Sequence, residues 1–217
     1  MDFGTIDFEY GAHLSTINEN LDGPIWMVNF MRYREKAVYP DGRESDISGR
    51  EADDIYAPVD VLQKLGANVA YFGDVTSEVN AATPYWHRMG IVRYPTRRSF
   101  IDMQNRADFI PRMIHKEAGM EFTIIACCLP TNRFEFDLEG SRTVTFALIP
   151  AGADAPVLTK GQALFRVEGT IIGDDRRWDH LVVSWNDASI SAPEGSIVVN
   201  SRPLIDEIQA LNNLSFA

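Results

Sequence analysis

Apolar and polar positions alternate in blocks along residues 24–130, and these blocks predict four strands. Residues 24–33 form an almost continuous apolar run, interrupted by Asn29, as in a buried strand. Three more runs of strand length follow, separated by turn-forming residues. These further strands are predicted at residues 68–75, 85–94 and 121–128.

Two helical segments are predicted between these strands. A capping box, in which a serine is followed three residues later by a glutamate, begins at Ser48 and predicts a helix of about 15 residues. Pro58 is the weak point of this helix, and Gly66 supplies its left-handed stop. A second helix is predicted from about residue 99 to residue 119, with a break at Pro111.

The resulting order is β-α-β-β-α-β, which predicts an α+β fold. This order is typical of the ferredoxin-like plan, in which two helices cover one face of a four-stranded antiparallel sheet. The other face is apolar and must be covered, for which a second sheet is the usual solution. The predicted organisation is a lead segment at 1–23, a ferredoxin-like α/β-barrel domain at 24–130, and a β-rich half with a C-terminal helix at 131–217.

The second half of the chain is dominated by short apolar runs. Strands are predicted at residues 133–138, 143–149, 162–171, 178–186 and 196–200, and a helix at 203–212. Residues 161–186 echo residues 66–94, with a glycine, an apolar strand, a polar turn and a second strand that contains tryptophan. Residues 150–160 leave no room for a crossover helix. Two interpretations stay open: a degenerate second copy of the first unit, or an unrelated β-rich extension.

Composition and charge exclude several classes of protein. The chain has 217 residues, of which 45% are hydrophobic and 24% charged, as in a globular protein that needs no disulfide or metal to hold its core. Its net charge of −11 repels phosphate backbones and anionic membranes, so we expect neither a nucleic acid nor a membrane as partner. No apolar run approaches the roughly 20 residues of a membrane-spanning helix.

The start of the chain and its cysteines predict a cytoplasmic location. The N-terminus lacks the basic and apolar regions of a signal peptide. The two cysteines, Cys127 and Cys128, are adjacent within an apolar run and would make a poor structural disulfide. An apolar setting raises the pKa of a thiol and suppresses its reactivity, so both cysteines are interpreted as inert packing.

Five short segments of the first half resemble one protein family. They are VNFMRY at 28–33, VYPDG at 38–42, SG at 48–49, IVRYPT at 91–96 and IHKEAG at 114–119. Their order and spacing resemble the DUF1330-like branch of the dimeric α/β-barrel superfamily over residues 24–130. The resemblance implies ferredoxin-like sheets that pair face to face, usually across a two-fold axis, around a central cavity, and therefore a homodimer. The half from residue 131 onward departs from the family pattern.

The resemblance implies little about chemistry. Relatives in the superfamily include cofactor-free monooxygenases, muconolactone-type isomerases, lyases and haem enzymes, and function depends on the site rather than on the fold. The sequence itself contains no glycine-rich phosphate loop, nucleophile elbow, paired-histidine zinc motif or four-cysteine site. Nucleotide-dependent and serine-hydrolase functions therefore have little support.

Histidines are the main source of acid–base chemistry near neutral pH. The chain has four, His13, His87, His115 and His180, and their scattered positions predict no metal site. His115 lies near the end of the second predicted helix. It is either a cation placed favourably at a helix C-terminus or a general base at the cavity mouth, and the resemblance favours the second interpretation.

Strand alternation suggests which of these side chains share a face. His87 and Arg88 are adjacent in a predicted strand and therefore point to opposite faces of the sheet. If the two hairpins are equivalent, Arg88 and His180 occupy matching positions, and both face the cavity rather than the helices. One β-bulge would break this argument, and solvated charges at two strand ends are the alternative.

Five residues are candidates for binding a substrate. Asn29 lies within an apolar strand, so its amide either bonds a neighbouring loop or lines a polar pocket. Arg32 and Tyr33, at the exit of that strand, would position an anionic or phenolic ligand, with a salt-bridged strand end as the alternative. Tyr94 and Trp86 are either core aromatics or a stacking surface for an aromatic substrate.

Three functional hypotheses follow. The first is an enzyme that performs nucleotide-independent acid–base chemistry on a small apolar or aromatic metabolite in a barrel cavity, of the lyase, isomerase or cofactor-free oxygenase type. In it His115, His180 and His87 are candidate bases, and Arg88 stabilises negative charge. The second is a non-enzymatic ligand-binding or assembly protein. The third is a haem enzyme, since one histidine suffices as an axial ligand, although no cofactor is required by the first two.

Overall fold

The chain forms a closed antiparallel β-barrel with helices packed on part of its outer surface. The computed structural model describes residues 3–79, 81–134, 143–185 and 190–215. Nine strands lie within these residues. They are β1 (Thr5–Ile6), β2 (Ile25–Tyr33), β3 (Asn68–Glu78), β4 (Arg88–Tyr94), β5 (Met120–Pro130), β6 (Val144–Pro150), β7 (Gln162–Gly173), β8 (Trp178–Ser184) and β9 (Ile197–Asp206).

The helices are short and lie mainly in the first half of the chain. Within the described residues they are α1 (Phe8–Thr16), α2 (Gly49–Tyr56), α3 (Val59–Lys64), α4 (Arg97–Gln104), α5 (Met113–Gly119) and α6 (Ile208–Ser215), with a 3₁₀ turn at Ile110–Arg112. The capping box predicted at Ser48 starts α2, because the Ser48 hydroxyl accepts from the Glu51 amide and the Glu51 carboxylate accepts from the Ser48 amide. The single helix of about 15 residues predicted here is divided into α2 and α3, and the division falls at Pro58, its predicted weak point.

Strands from both halves of the chain close one sheet. Around the barrel their order is β7, β5, β2, β4, β3, β9, β6 and β8, and β8 then pairs with β7. One edge of β7 pairs with β5. The other edge pairs with two strands: its first part with β8, where Arg166 lies opposite His180, and its last part with β1, where Ile172 lies opposite Ile6. All of these pairings are antiparallel, so the eight barrel strands leave no open seam along the paired registers.

The interior of the barrel is filled by side chains. One apolar cluster contains residues from all eight barrel strands, together with Ile208 of α6. Its fully buried aromatic members are Trp26, Phe30, Tyr71, Trp86, Phe146 and Phe165. An eight-stranded barrel is just wide enough for its inward side chains to meet, and these large rings fill the space.

A second apolar layer lies between the barrel wall and the helices. It joins outward-facing side chains of β2, β4 and β5 to residues of α3 and α4, including Met27, Tyr94, Ile125, Leu62 and Phe100. The helices therefore cover the outer face of the barrel wall in the first half of the chain.

The predicted α+β fold class is wrong, and so is the description of the chain as a ferredoxin-like unit of the dimeric α/β-barrel type. The four strands of residues 24–130 do not form a separate sheet with one bare face. Their outer strands, β3 and β5, pair with β9 and β7 of the second half, so the wall closes within one chain. Closing the barrel therefore needs no second subunit, and the predicted homodimer stays a prediction.

Individual elements were predicted better than their assembly. Gly66 has φ +69° and ends α3, and Pro111 lies in the turn that separates α4 from α5, as predicted. The lead segment 1–23 contains β1 and α1, which the sequence did not indicate. The strand predicted at 133–138 lies largely outside the described residues, and the closing helix starts later than predicted because β9 continues to Asp206.

The question of a repeat stays open. In each half the strands lie side by side in the order fourth, first, third, second: β5, β2, β4, β3 and then β9, β6, β8, β7. A second copy of the first unit would have this order. Residues 151–161, which are all described, contain no helix that corresponds to α2 and α3.

Candidate functional site

A cavity of about 340 Å³ lies between the outer face of the barrel wall and the helices. Its floor is formed by outward-facing side chains of β2, β3 and β4, and its walls by α2 to α5. The lining is mostly apolar and includes Met27, Met31, Phe72, Val92, Phe100 and Met103. This volume is at the lower end of the range of about 300–1,000 Å³ found for pockets that bind small molecules.

Gly90 of β4 keeps the floor of the cavity open. A Cβ atom at this position would lie 3.2 Å from Met31 Cε, 3.8 Å from Phe72 Cδ2 and 3.9 Å from Asn29 Cβ, all of which belong to lining residues. Any larger residue on this outward-facing position would therefore project into the cavity.

Two glycines allow α2 and α5 to pack closely at the side of the cavity that carries its charged groups, the polar wall. At Gly49, the first residue of α2, a Cβ atom would lie 2.3 Å from the carbonyl oxygen of Gly119 at the end of α5. The backbones are joined through Arg34, whose amide donates to Gly119 O at 2.9 Å and whose carbonyl accepts from the Gly49 amide at 3.1 Å. This contact packs α2 against α5, and each helix contributes one charged side chain to the cavity.

Asp53 of α2 is the first of these side chains. It is 5% exposed, and its Oδ2 accepts a hydrogen bond from Tyr33 Oη at 2.7 Å. Arg88 Nη1 lies 3.7 Å from the same oxygen. Within the described part of the chain, Asp53 Oδ1 is buried without a hydrogen-bond partner. One oxygen of a buried carboxylate is thus held in place, and the other is left free beside the cavity.

Arg88 holds several acidic groups at the end of the cavity. Its guanidinium is buried, lies 2.7 Å from Asp54 Oδ1 and 3.4 Å from Asp74 Oδ1, and stacks at 4.6 Å from the centre of the Phe72 ring. Burial of Tyr33, followed by the negative charge of Asp53, raises the pKa of its phenol well above the ordinary value, so this hydroxyl acts as a donor.

Lys116 of α5 is the second charged side chain, and it is 7% exposed. Its Nζ lies 4.8 Å from the centre of the Tyr56 ring, and among the described residues it forms no hydrogen bond or ion pair. Burial lowers the pKa of this amine, and the negative charge of Asp53 partly opposes the shift. A buried amine without an ionic partner is unusual, since such groups are normally paired.

Asn29 and Tyr94 are the two predicted binding residues that line the cavity. The Asn29 amide nitrogen donates to Met27 O at 3.2 Å, within its own strand. The Tyr94 hydroxyl donates to Met103 Sδ at 3.5 Å. Asn29 therefore lines a mainly apolar cavity and bonds its own strand rather than a neighbouring loop, so the predicted polar pocket stays a prediction.

The cavity reaches solvent between α3 and β9. Val59 and Ile205, both lining residues, are 50% and 40% exposed. Both are apolar, so the entrance is itself attractive to an apolar molecule.

The three candidate histidine bases lie away from the cavity. His87 is exposed, and its Nδ1 accepts from the Tyr33 amide at 3.1 Å. His115 Nδ1 is 2.9 Å from Tyr39 Oη on the far side of α5. His180 lies on the outward face of β8, opposite Ile149 and Arg166. Partial desolvation of the rings lowers the pKa of both His87 and His115, and the charges of Arg32 and Arg43 respectively add to the shift.

Other predicted site residues have structural contacts. Arg32 pairs with Glu121 at 3.0 Å and stacks at 4.1 Å from the centre of the Tyr85 ring, which is the salt-bridged strand end considered from the sequence. Trp86 is buried in the barrel interior against Phe30. Arg88 does not face the interior, because it reaches α2 on the helix side of the wall.

The predicted lyase or isomerase chemistry is not supported by the structure. It depended on histidine bases in a barrel cavity, but the described barrel interior is packed and no described lining residue of the outer cavity is a histidine. No group of three or more histidine, cysteine or acidic side chains in the described residues could hold a metal ion. The predicted haem alternative stays untested.

Asp53, Lys116 and Tyr56 are site residues that sequence reasoning missed. Asp53 lies in a polar run with Arg50, Glu51 and Asp54, and Lys116 follows His115, so both resemble members of a solvated helix face. The spacing of Ala52 and Tyr56 is the one weak signal that this face of α2 is buried.

The fold and the cavity define a closed β-barrel with an apolar pocket under its outer helices. No protein-family model and no curated protein matches the chain. Among solved structures it is similar to the methylated RPA0582 protein, with 28% identity and a TM-score of 0.51 over 62% of this chain and all of that one. It is also similar to the RPA0582 protein of unknown function from Rhodopseudomonas palustris, with 24% identity and a TM-score of 0.51 over 61% of this chain and 99% of that one.

These similarities assign no activity, and the resemblance to the DUF1330-like branch stays a prediction. None of the helices in the described residues is both long enough and apolar enough to cross a membrane.

Proposed function

We propose that this protein binds a small, mainly apolar organic molecule in the cavity under α2 to α5, with an oxygen acceptor of the ligand directed at Lys116. The observation that carries the proposal is an apolar cavity with two polar groups on its wall: the Lys116 side chain, which is 7% exposed and has no ion pair among the described residues, and Asp53 Oδ1, which is buried there without a hydrogen-bond partner. Leaving such groups unpaired is unfavourable, and a ligand that pairs with them removes that penalty.

The polar groups specify what kind of ligand fits. An ammonium donates hydrogen bonds, so it favours a carboxylate, carbonyl or hydroxyl oxygen. Asp53 Oδ1 and the Asn29 amide oxygen are acceptors, so they favour a hydroxyl group or a second donor on the same ligand. The remaining surface is aliphatic, thioether and aromatic, and it favours a hydrocarbon or phenyl body.

A matched ligand series tests this proposal. Titration calorimetry would compare 3-phenylpropionate, 3-phenylpropanol and 3-phenylpropylamine, which share one apolar body and differ in the terminal group. We expect the acid and the alcohol to bind and the amine to bind at least tenfold more weakly, because its charge repels Lys116. Native mass spectrometry of freshly purified protein would show whether a small molecule is already bound.

A variant that fills the cavity separates pocket binding from surface binding. Gly90→Val places two methyl groups beside Met31 and should reduce binding of 3-phenylpropionate at least tenfold. Gly23→Val is the matched control, because a Cβ atom at Gly23 meets no heavy atom within 4 Å. Absence of binding to the wild type, or equal binding by both variants, would reject the proposal.

A further inference from the structure

We infer that Lys116 is a nucleophilic amine that captures a small apolar aldehyde or ketone as an imine. This inference rests on the proposed function, since it assigns the ligand class of the same cavity. It adds a covalent step that simple binding does not require, and it singles out one of the four lysines in the chain.

The surroundings of Lys116 distinguish it from the other lysines. Lys36 and Lys64 are exposed and lie 2.8 Å from Asp46 and Asp108, so their charge is stabilised by a partner and by water. Lys116 is buried at an apolar cavity wall and has the Tyr56 ring as its neighbour. An amine attacks a carbonyl only in its neutral form, and burial gives Lys116 a larger neutral fraction than an exposed lysine has at the same pH, while its protonated form is the one that binds an oxygen acceptor.

The neutral amine is also favoured by the direction of the pKa shift. Burial lowers the pKa of Lys116, and the charge of Asp53 reverses only part of that shift. Desolvation in a hydrophobic pocket is one of the established ways in which a lysine becomes a nucleophile.

The step balances without an oxidant, a reductant or a cofactor. The lone pair of Lys116 Nζ forms a bond to the carbonyl carbon, and the carbonyl π electrons move to the oxygen. The nitrogen loses its two protons, the oxygen gains two, and the carbon–oxygen bond breaks as water leaves. The product is an imine, and addition of water reverses the step.

Asp53 supplies the group that moves these protons. Its Oδ2 is fixed by Tyr33 Oη at 2.7 Å, while Oδ1 is buried and unpaired in the described structure. Asp53 and Lys116 line the same cavity without forming an ion pair, so a water molecule would carry the proton from the nitrogen to Oδ1 and back to the departing oxygen. Fixing one carboxylate oxygen orients the other, so Tyr33 and Arg88 act as positioning residues.

Reductive trapping tests the inference. The full chain would be incubated with 3-phenylpropanal and sodium cyanoborohydride, and its intact mass and peptide map would be measured. We expect one adduct, whose mass is that of the probe less one oxygen atom, located at Lys116. The trapping rate should rise with pH about a midpoint below the ordinary lysine pKa of about 10.4, and 3-phenylpropanol should compete.

Two variants provide the controls. Lys116→Arg keeps the positive charge but cannot form an imine, so it should lose at least nine-tenths of the adduct, whereas Lys64→Arg should keep it. Lys116→Met also lacks the amine and should lose the adduct as well. Circular dichroism and Tm, measured for all variants, show whether each variant is folded, so that a loss of adduct is not mistaken for unfolding.

The outcomes separate this inference from the proposed function. An adduct spread over exposed lysines, or one that persists in Lys116→Arg, would overturn it. So would failure to trap in a protein that binds 3-phenylpropionate, which would leave the proposed binding function intact. A protein that neither traps the aldehyde nor binds the acid would contradict both.

Discussion

The two faces of the barrel wall are both apolar, but they are packed differently. Inside, large rings meet edge to face, with ring centres 5.5 Å apart for Trp26 and Phe165 and 5.6 Å apart for Phe30 and Trp86. Outside, under the helices, the wall presents Gly90, methionines and valines, and a cavity of about 340 Å³ remains. Rings packed edge to face fill the inner face, whereas on the outer face Gly90 and flexible methionines beside Phe72 and Tyr94 leave space.

Geometry explains the difference. Side chains that point into an eight-stranded barrel converge, so a few rings are enough to fill it. Side chains that point outward diverge, and straight helices laid across a curved wall meet it only at some positions. In this protein the space for a ligand is therefore found between the wall and the helices, whereas the predicted site lay inside a barrel.

The largest expected effect is truncation of an interior ring. Phe146→Ala should lower the free energy of unfolding by about 3–5 kcal/mol, because the fully buried side chain packs against Tyr71 and leaves a void. Met103→Ala, at the edge of the existing cavity, should cost only about 2 kcal/mol. Urea unfolding of both variants measures the two losses in free energy of unfolding. Equal losses would contradict the conclusion that the two faces of the wall are packed differently.

Removing the charge that holds the polar wall should have the next largest effect. Arg88→Leu leaves Asp53 buried without a cation and should lower the free energy of unfolding by about 3 kcal/mol. Arg43→Leu, at an exposed pair with Asp41, is the control and should change stability little. Chemical denaturation checks both variants. A small loss in Arg88→Leu would mean that the acidic groups find other partners.

Adding one methyl group at the contact between α2 and α5 should destabilise the protein. Gly49→Ala places a methyl group against the Gly119 carbonyl and should cost about 2–3 kcal/mol as the two helices separate. It should also weaken binding of 3-phenylpropionate, because Asp53 and Lys116 move apart. Thermal unfolding and calorimetry measure the two effects. Normal binding in a destabilised variant would show that the cavity does not depend on this contact.

The smallest expected effect is a gain in stability. Lys116→Met removes a buried amine and should raise the free energy of unfolding by about 1 kcal/mol near neutral pH. The folded pKa of Lys116 is lowered, so the unfolded chain binds the extra proton between that pKa and the ordinary value of about 10.4. The free energy of unfolding of the wild type therefore rises with pH through this window. The difference in this free energy between Lys116→Met and the wild type should become smaller.

Urea unfolding of the wild type and Lys116→Met at a series of pH values measures that difference. Parallel curves across the whole alkaline range would show that Lys116 is not destabilised by burial, and would also remove the support that its pKa gives to imine formation.

Local structure was predictable because its determinants are close in sequence. The capping box at Ser48 and the weak point at Pro58 depend on residues within one or two turns of each other; the capping box is confirmed, and the predicted single helix is divided at Pro58. The strand β2 was predicted because its apolar run is nearly continuous. Each of these signals acts over a few residues, where propensity and hydrogen bonding decide the outcome.

Assembly was not predictable from such signals. The apolar pattern of β3 and β5 shows that these strands are buried, but it does not determine which strand pairs with the free edge of each. The closure of the barrel by β9 and β7 was therefore missed. The same holds for Lys116 and Asp53, which resemble solvated residues of polar helices in the sequence. Their burial results from the approach of Gly49 to Gly119, which are far apart in the chain.

Because β1 pairs with the end of β7, its position in the fold depends on residues that are synthesised much later. Phe3 is fully buried, and in the described structure the ladder partners of β1 are Ile172 and Gly173 at the end of β7. At about 5–20 residues per second, a ribosome needs roughly 10–30 s to reach that strand after β1 has been made. During this interval β1 lacks its β7 partner, and among the described residues an earlier contact is the hydrogen bond that the Thr123 amide of β5 donates to the Phe3 carbonyl.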